Sequence, residues 1–333
     1  MNVLISSLGE SPAVITETVD AVEREEHIRI DRVVTIGTRE WSVELSQEAL
    51  QEEFMCFEGG RITYLPLQIE GRDLLRETDH LEFLHAVATQ LRMYRFADTY
   101  LSLAGGRKTM SALMAIAAQI YGARMLCHII PLDEELERQG EIQIWHTLPQ
   151  AEQQRILHPP AEKVRLVRLP LISLFPLLQD FLRALQGQMD VEPQAVRLLH
   201  DSGLIWREAG MLKRTPSGEQ LYAVLADIEQ LPPPSERRPE EKVTIHDHGY
   251  GGKRGRVEAY ARQLAQLPWV TSVRTIPYGN KPRTALRTIH EDGRIEVDVK
   301  TGEFSAGLEV RTTAQTRGQT ERVAKELERW LRL

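Results

Sequence analysis

Cysteine is scarce in this chain of 333 residues, which carries only Cys56 and Cys127. Two thiols define no disulfide framework, and no Cys/His spacing of a metal site accompanies them. Both read as reduced thiols of a cytosolic protein, and no metal or other cofactor is expected. Long apolar runs are missing as well. The most apolar stretch, residues 112–132, is broken by Gln119, Gly122, Arg124 and His128, so no membrane contact is expected. The opening MNVLISSLGES lacks the basic n-region and the apolar core of a secretory signal, and a cytoplasmic location follows as the expectation. Two nucleotide motifs are also absent. No GxGxxG occurs in either of the two loops that follow candidate strands, which argues against a nicotinamide enzyme. In SLAGGRKTMS, Arg107 separates Gly106 from Lys108 and Leu101 stands where a first glycine should be, which excludes a P-loop ATPase.

Charge of one sign is scarce only locally. The net charge is −7, yet residues 242–333 carry 17 Lys and Arg against 11 Asp and Glu, a balance of +6, leaving −13 for the rest. An acidic body with a basic tail points to a polyanion as a partner of the tail. The length exceeds one ordinary core, and the 42% hydrophobic and 27% charged composition excludes wholesale disorder.

Residues 1–148 alternate short apolar runs with helical patterns. Strands are expected at 3–5, 32–36, 62–69, 99–103 and 125–130, with helices from Pro12 to about Glu23 and over 43–54, 80–94 and 108–121. Ser11 fits an N-cap and Pro12 the first helical position. This cadence is that of an α/β doubly wound domain. A strand at 164–167, helices at 171–186 and 193–199, a hairpin at 205–213 and a helix from Thr215-Pro216 to Ile228 follow, in the order of a winged helix-turn-helix. Pro232-Pro233-Pro234 opens a linker to residue 241. The tail reads as a short strand, the polar loop HDHGYGGKRG, a helix at 257–267, four alternating strands and a final helix at 319–331, a small α+β domain.

Two loops, SSLGESP at 6–12 and SLAGGRKTMS at 102–111, leave strand ends where ligands of open α/β sheets sit. Glycines, Arg107, Lys108 and hydroxyls give the second loop the chemistry of an anion site. A tight turn with solvated cations is the alternative. LISSLGESPAVITETV together with YLSLAGGRKTMSALMAIA resembles the CARF domain of type III CRISPR effectors, over about residues 1–150. The resemblance implies a Rossmann-like fold and a homodimer that binds cyclic oligoadenylate, with cyclic tetra-adenylate the expected ring. It implies ligand contacts from Ser7, Leu8, Gly9 and Ser11, from Gly105, Gly106, Arg107, Lys108 and Thr109, and from Thr38 and Arg39. Slow cleavage of the ring itself is implied for some such domains, and Ser11, Arg107 and Lys108 have suitable chemistry.

The middle unit, residues 191–231, carries four basic and six acidic residues, so DNA is not expected as a partner and a connecting or dimerisation role is favoured. In the tail, Arg283 and His290 have a spacing used by helical HEPN ribonucleases, but in a strand-like stretch, and no acidic cluster suits a nuclease metal. The tail's layout and charge resemble the RelE-like toxins, which cut mRNA on the ribosome without a metal. That resemblance implies catalytic roles among Lys253, Arg254, Lys281, Arg283, Arg287 and Arg311, with Tyr278, His246 and Tyr250 as acid, base or stacking groups. The expected organisation is a CARF domain at 1–165, a winged helix at 166–231, a linker at 232–241 and a RelE-like ribonuclease at 242–333. The rival readings are a ligand-responsive transcription regulator and a stand-alone ring nuclease.

Overall fold

A computed structural model describes residues 1–57, 60–237 and 241–331, apart from the side chains of Cys56 and Phe57. The chain divides into two compact units, Met1–Ile228 and Glu229–Leu333. The linker expected at 232–241 falls inside the second of these, and its residues 238–240 lie outside the described residues.

The first unit opens with β1 (Asn2–Ser7), α1 (Ala13–Glu26), β2 (Arg32–Gly37), α2 (Trp41–Glu52), β3 (Thr63–Gln68), α3 (Glu77–Met93), β4 (Asp98–Ser102), α4 (Lys108–Tyr121) and β5 (Met125–Pro131). Next come α5 (Glu134–Gln139), α6 (Ile142–Trp145), α7 (Gln150–Leu157) and β6 (Val164–Leu169). The strands form one sheet in the order β3-β2-β1-β4-β5-β6, parallel except for β6, which runs antiparallel to β5. Val3, Leu4, Ile5, Val33, Val34 and Ile36 are fully buried, as expected of strands covered on both faces. β6 carries the sheet past residue 165.

α8 (Leu178–Leu185), α9 (Pro193–Asp201), the hairpin of β7 (Ile205–Glu208) and β8 (Met211–Arg214), and α10 (Pro216–Glu229) follow. They enclose an apolar cluster including Phe181, Leu185, Ala195, Leu199, Ile205 and Leu212. His85 of α3 meets Asp227 of α10 at 2.6 Å, and Gln220 donates to Glu77 at 2.6 Å, so these elements pack onto the sheet unit.

The second unit contains β9 (Val243–Thr244), α11 (Arg254–Ala265), β10 (Val270–Ile276), β11 (Ala285–Ile289), β12 (Arg294–Lys300), β13 (Ser305–Thr312) and α12 (Arg317–Leu331). Its sheet runs β11-β12-β13-β10-β9, antiparallel except for the β9–β10 pair. Val273, Ile295, Val297, Val299, Leu308 and Val310 are fully buried, as are Leu264 of α11 and Val323 and Leu327 of α12.

Local differences from expectation have physical causes. The helix expected from 171 begins only at Leu178, because Pro176 confines the preceding turn to a 3-10 form at Phe175–Leu177. Pro12, not Ser11, is the residue flanking α1, and its side chain cannot cap. The glycine-rich loop of the tail closes earlier than read, through a 3-10 turn at Gly251–Lys253 into α11. Cys127 is buried, its thiol pushed up to about 12 by burial and the nearby Glu25. The Cys56 side chain is outside the described set.

His158, which follows α7, bridges Asp20 of α1 at 2.8 Å and Glu53, beyond α2, at 3.1 Å. Burial opposes its charge, but the two carboxylates overcome it and push the imidazole up from 6.5 to about 10. A raised base stabilises the fold fully below its ordinary pKa and loses that contribution as pH rises through the raised one. Thermal unfolding should therefore occur at lower temperature as pH climbs from about 6.5 towards about 10, and His158→Gln should flatten this slope. An unchanged slope in the variant would contradict the clamp.

Candidate functional site at the sheet switch point

β1 pairs with β2 on one side and β4 on the other, so a crevice opens beyond their carboxyl ends. Both glycine-bearing loops arrive there. The buried Ser7 hydroxyl donates to the Gly105 carbonyl at 2.8 Å, and the Ser6 hydroxyl reaches Ala104 O at 3.3 Å. These bonds draw the loops together until Gly9 faces Gly106. A Cβ on Gly9 would stand 2.6 Å from the Gly106 nitrogen and 2.9 Å from its Cα, closer than real side chains come. Gly105 and Gly106 take φ values of +94° and +73°, a region that favours glycine. α4 begins two residues later, so the positive end of its dipole adjoins this glycine crest.

A cavity lies on each side of the crest. The first, about 530 Å³, is lined by the expected Leu8, Gly9, Thr38, Gly106 and Arg107, joined by Glu10, Arg72 and Asp73. The second, about 420 Å³, is lined by the expected Gly9, Ser11, Gly105 and Gly106, joined by Glu17, His128, Glu137 and Glu141. Lys108 and Thr109 stand exposed on the first turn of α4. Ser7 is beneath the crest, its hydroxyl spent on the loop contact. Arg39 lies outside both linings, its backbone N–H donating to Gly71 O at 3.1 Å.

Sequence reasoning missed Asp73 and Glu17. Arg107 holds Asp73 through Nε–Oδ1 at 3.0 Å and Nη2–Oδ2 at 2.5 Å, and this bond keeps the carboxyl below its usual range. Asp73 follows β3, so inspecting every loop at the carboxyl edge would have found it. Glu17 gave no signal, since a glutamate on an amphipathic helix reads as solvated. Burial pushes its carboxyl up to about 7, with Asp20 and Glu137 adding repulsion.

The basic residues of the second unit fall into two groups. Arg287 pairs with Glu296 at 2.6 Å, lies 3.6 Å from Asp298 and donates to Pro277 O at 2.9 Å. Arg311 reaches Glu309 at 3.2 Å and Arg274 the same carboxylate at 2.8 Å. Burial would raise Glu309, yet these arginines hold it below the usual range. Both expected strand arginines are thus engaged in ion pairs. Lys253, Arg254, Lys281 and Arg283 are exposed and have no ion-pair partner among the described residues. Fully buried Asp298 accepts from the backbone N–H of Gly279 at 3.0 Å and of Lys281 at 3.3 Å, anchoring the loop that carries Lys281 and Arg283. Tyr278 donates its hydroxyl to the Lys281 carbonyl in the same loop. His246 is exposed, its loop pinned by Thr275 through bonds of 2.7 and 2.9 Å, and Tyr250 packs edge-on against His248. Among the described residues no group of three metal-binding side chains occurs, and no helix is long and apolar enough to cross a membrane.

The profile of the CRISPR-associated protein NE0113 family matches residues 11–202, more than half of the chain. The chain belongs to this family. The CRISPR system ring nuclease SSO2081 of Saccharolobus solfataricus is 33% identical over 137 residues, which are 39% of this chain and 72% of that protein. Csm6 of Enterococcus italicus, solved bound to cyclic hexa-2'-fluoro-hexa-dAMP, overlays with a TM-score of 0.34 and 13% identity over 69% of this chain. The chain spans about half, 54%, of that Csm6 chain. SCL7 of rice overlays at 0.23 with 10% identity, covering 93% of this chain and 73% of that one. Both overlays are too loose to argue from. Membership in the NE0113 family agrees with the CARF resemblance of the two loops.

Gly9→Ala should destabilise this NE0113-family fold by about 1–3 kcal/mol in chemical denaturation, because the methyl must force two backbones apart. Stability equal to that of the unaltered chain would contradict the close approach.

Proposed function

We propose that the first unit binds cyclic oligoadenylate across a homodimer, and that the ring activates a RelE-like ribonuclease in the second. One observation carries the reading: in a CRISPR-associated chain with a ring-nuclease relative, two loops and a helix amino end converge between two cavities. The crest offers backbone N–H groups, and Arg107 and Lys108 supply charge for phosphates. A two-fold interface suits a symmetric ring.

Slow ring cleavage at the crest needs no metal in this scheme. A ribose 2′-hydroxyl attacks the adjacent phosphorus, the bond to the 5′-oxygen breaks, and the hydroxyl proton ends on that oxygen. The products are a 2′,3′-cyclic phosphate and a 5′-hydroxyl. Lys108 and Arg107 stabilise the phosphorane charge, and Ser11 orients the ring.

The same transesterification on mRNA in the ribosome is the activity proposed for the second unit. Lys253, Arg254, Lys281 and Arg283, exposed and without an ion-pair partner among the described residues, are the cations assigned to RNA. Arg287 and Arg311 serve the architecture that presents them, and His246, Tyr250 and Tyr278 are the groups for protons or base stacking.

The test is translation of a reporter mRNA in a cell-free extract with the full chain, with and without cyclic tetra-adenylate. Cleavage should require both ring and ribosome, and Lys281→Ala with Arg283→Ala should slow it roughly 100-fold or more while ring binding persists. Ring-independent silence together with specific capture of a promoter fragment would instead support the transcription regulator.

A further inference from the structure

Glu17 is left unused by the phosphate chemistry of the crest. It projects from α1, is only 3% exposed, and lines the second cavity beside Ser11, Gly105 and Gly106. No hydrogen bond reaches its carboxyl among the described residues. A buried carboxyl without a partner is costly, and calls for a ligand or water in the cavity to satisfy it.

The groups around it define what that ligand can be. Asp20 stands on α1 itself, where His158 holds it, and Glu137 faces from α5. Glu10 and Glu141 line the cavity from the loops, and His128 from β5. A phosphate would meet four carboxylates here and is disfavoured. Val14, Ile130 and Leu136 supply apolar walls, suited to the faces of a flat base.

The edge chemistry is selective. A neutral carboxylic acid presents a donor beside an acceptor, matching the N1 acceptor and N6 amino donor of adenine. An ionised carboxylate presents two acceptors and matches the N1–H and N2 amino group of guanine instead. Burial and the neighbouring carboxylates push Glu17 up to about 7, which retains the acid proton near neutrality.

We propose that this cavity is a base pocket, in which Glu17 reads the Watson–Crick edge of one adenine of a ring whose phosphates lie on the crest. Gly105 and Gly106 belong to both crest and cavity wall, so the base pocket adjoins the phosphate position. The assignment rests on the ring-binding reading above, and supplies its base specificity.

The experiment is calorimetric titration of the full chain, Glu17→Gln and Glu17→Leu with cyclic tetra-adenylate and its purine-riboside analogue, which lacks the 6-amino donor, from about pH 6 to about pH 8.5. Raising pH ionises Glu17 and removes its donor, so affinity of the unaltered protein for the adenine ring should fall. Glu17→Gln keeps a donor beside an acceptor, and should bind as tightly without the pH slope. Glu17→Leu should weaken the adenine ring roughly 10- to 100-fold, and the purine-riboside ring, which meets the carboxyl through N1 alone, less. Equal binding by Glu17→Leu, or a pH slope that survives in Glu17→Gln, overturns the pocket assignment. Should Glu17→Leu fail to fold, the Glu17→Gln slope decides alone. Failure of the unaltered protein to bind either ring would overturn the ring-binding reading itself.

Discussion

The backbone of Gly9 touches the backbone of Gly106, and the candidate site depends on that contact. Parallel pairing of β1 with both β2 and β4 brings the two loops to the same edge, and the serine hydroxyls at the end of β1 pull them together. Any side chain at position 9 would part them. The contact makes a narrow crest with a hollow on either side, and sets the start of α4 beside it. In the proposed function phosphate chemistry belongs to the crest, where amide groups and two cations gather. The same proposal leaves the hollows for the uncharged parts of a nucleotide.

Charge is segregated on a finer scale than the contrast between an acidic body and a basic tail suggests. Within the first unit the acidic character collects in the second cavity, while Arg107 is held out by Asp73 across the first. Within the second unit the sheet consumes much of the basic surplus. Register places Arg274 opposite Glu309 and Glu309 opposite Glu296, and the two adjacent carboxylates are paired by Arg274 and Arg311 on one side and by Arg287 on the other. Among the described cations left without an ion pair, Lys253 and Arg254 stand at the start of α11 and Lys281 and Arg283 on the 277–283 loop. The loop that carries Lys281 and Arg283 is held by a buried anchor, Asp298.

Much of this was legible in residue patterns. The buried strands showed as apolar runs, and α4 and β10 could be read to the residue because glycines bound the one and alternation marks the other. α5, α6 and α7 escaped notice. All three are short, and in α5 the charged Glu134, Glu135, Glu137 and Arg138 hide the apolar face, yet α5 walls the second cavity through Leu136 and Glu137. The crest loops could be nominated from glycine, cation and position after a strand. Glu17 could not, because only the packing of α5 and the loops against α1 converts a helical glutamate into a buried one. Nor could sequence separate Arg283, which is free, from Arg287, which is paired. That distinction is made by cross-strand register, and alternation alone does not supply it.

Hydrogen–deuterium exchange of the full chain, with and without cyclic tetra-adenylate, tests the central claim most directly. Ring binding at the crest predicts slowed exchange concentrated in residues 8–12 and 103–109, with the walls of the flanking cavities following. Protection confined to the second unit, with those two loops unchanged at saturating ring, would contradict it.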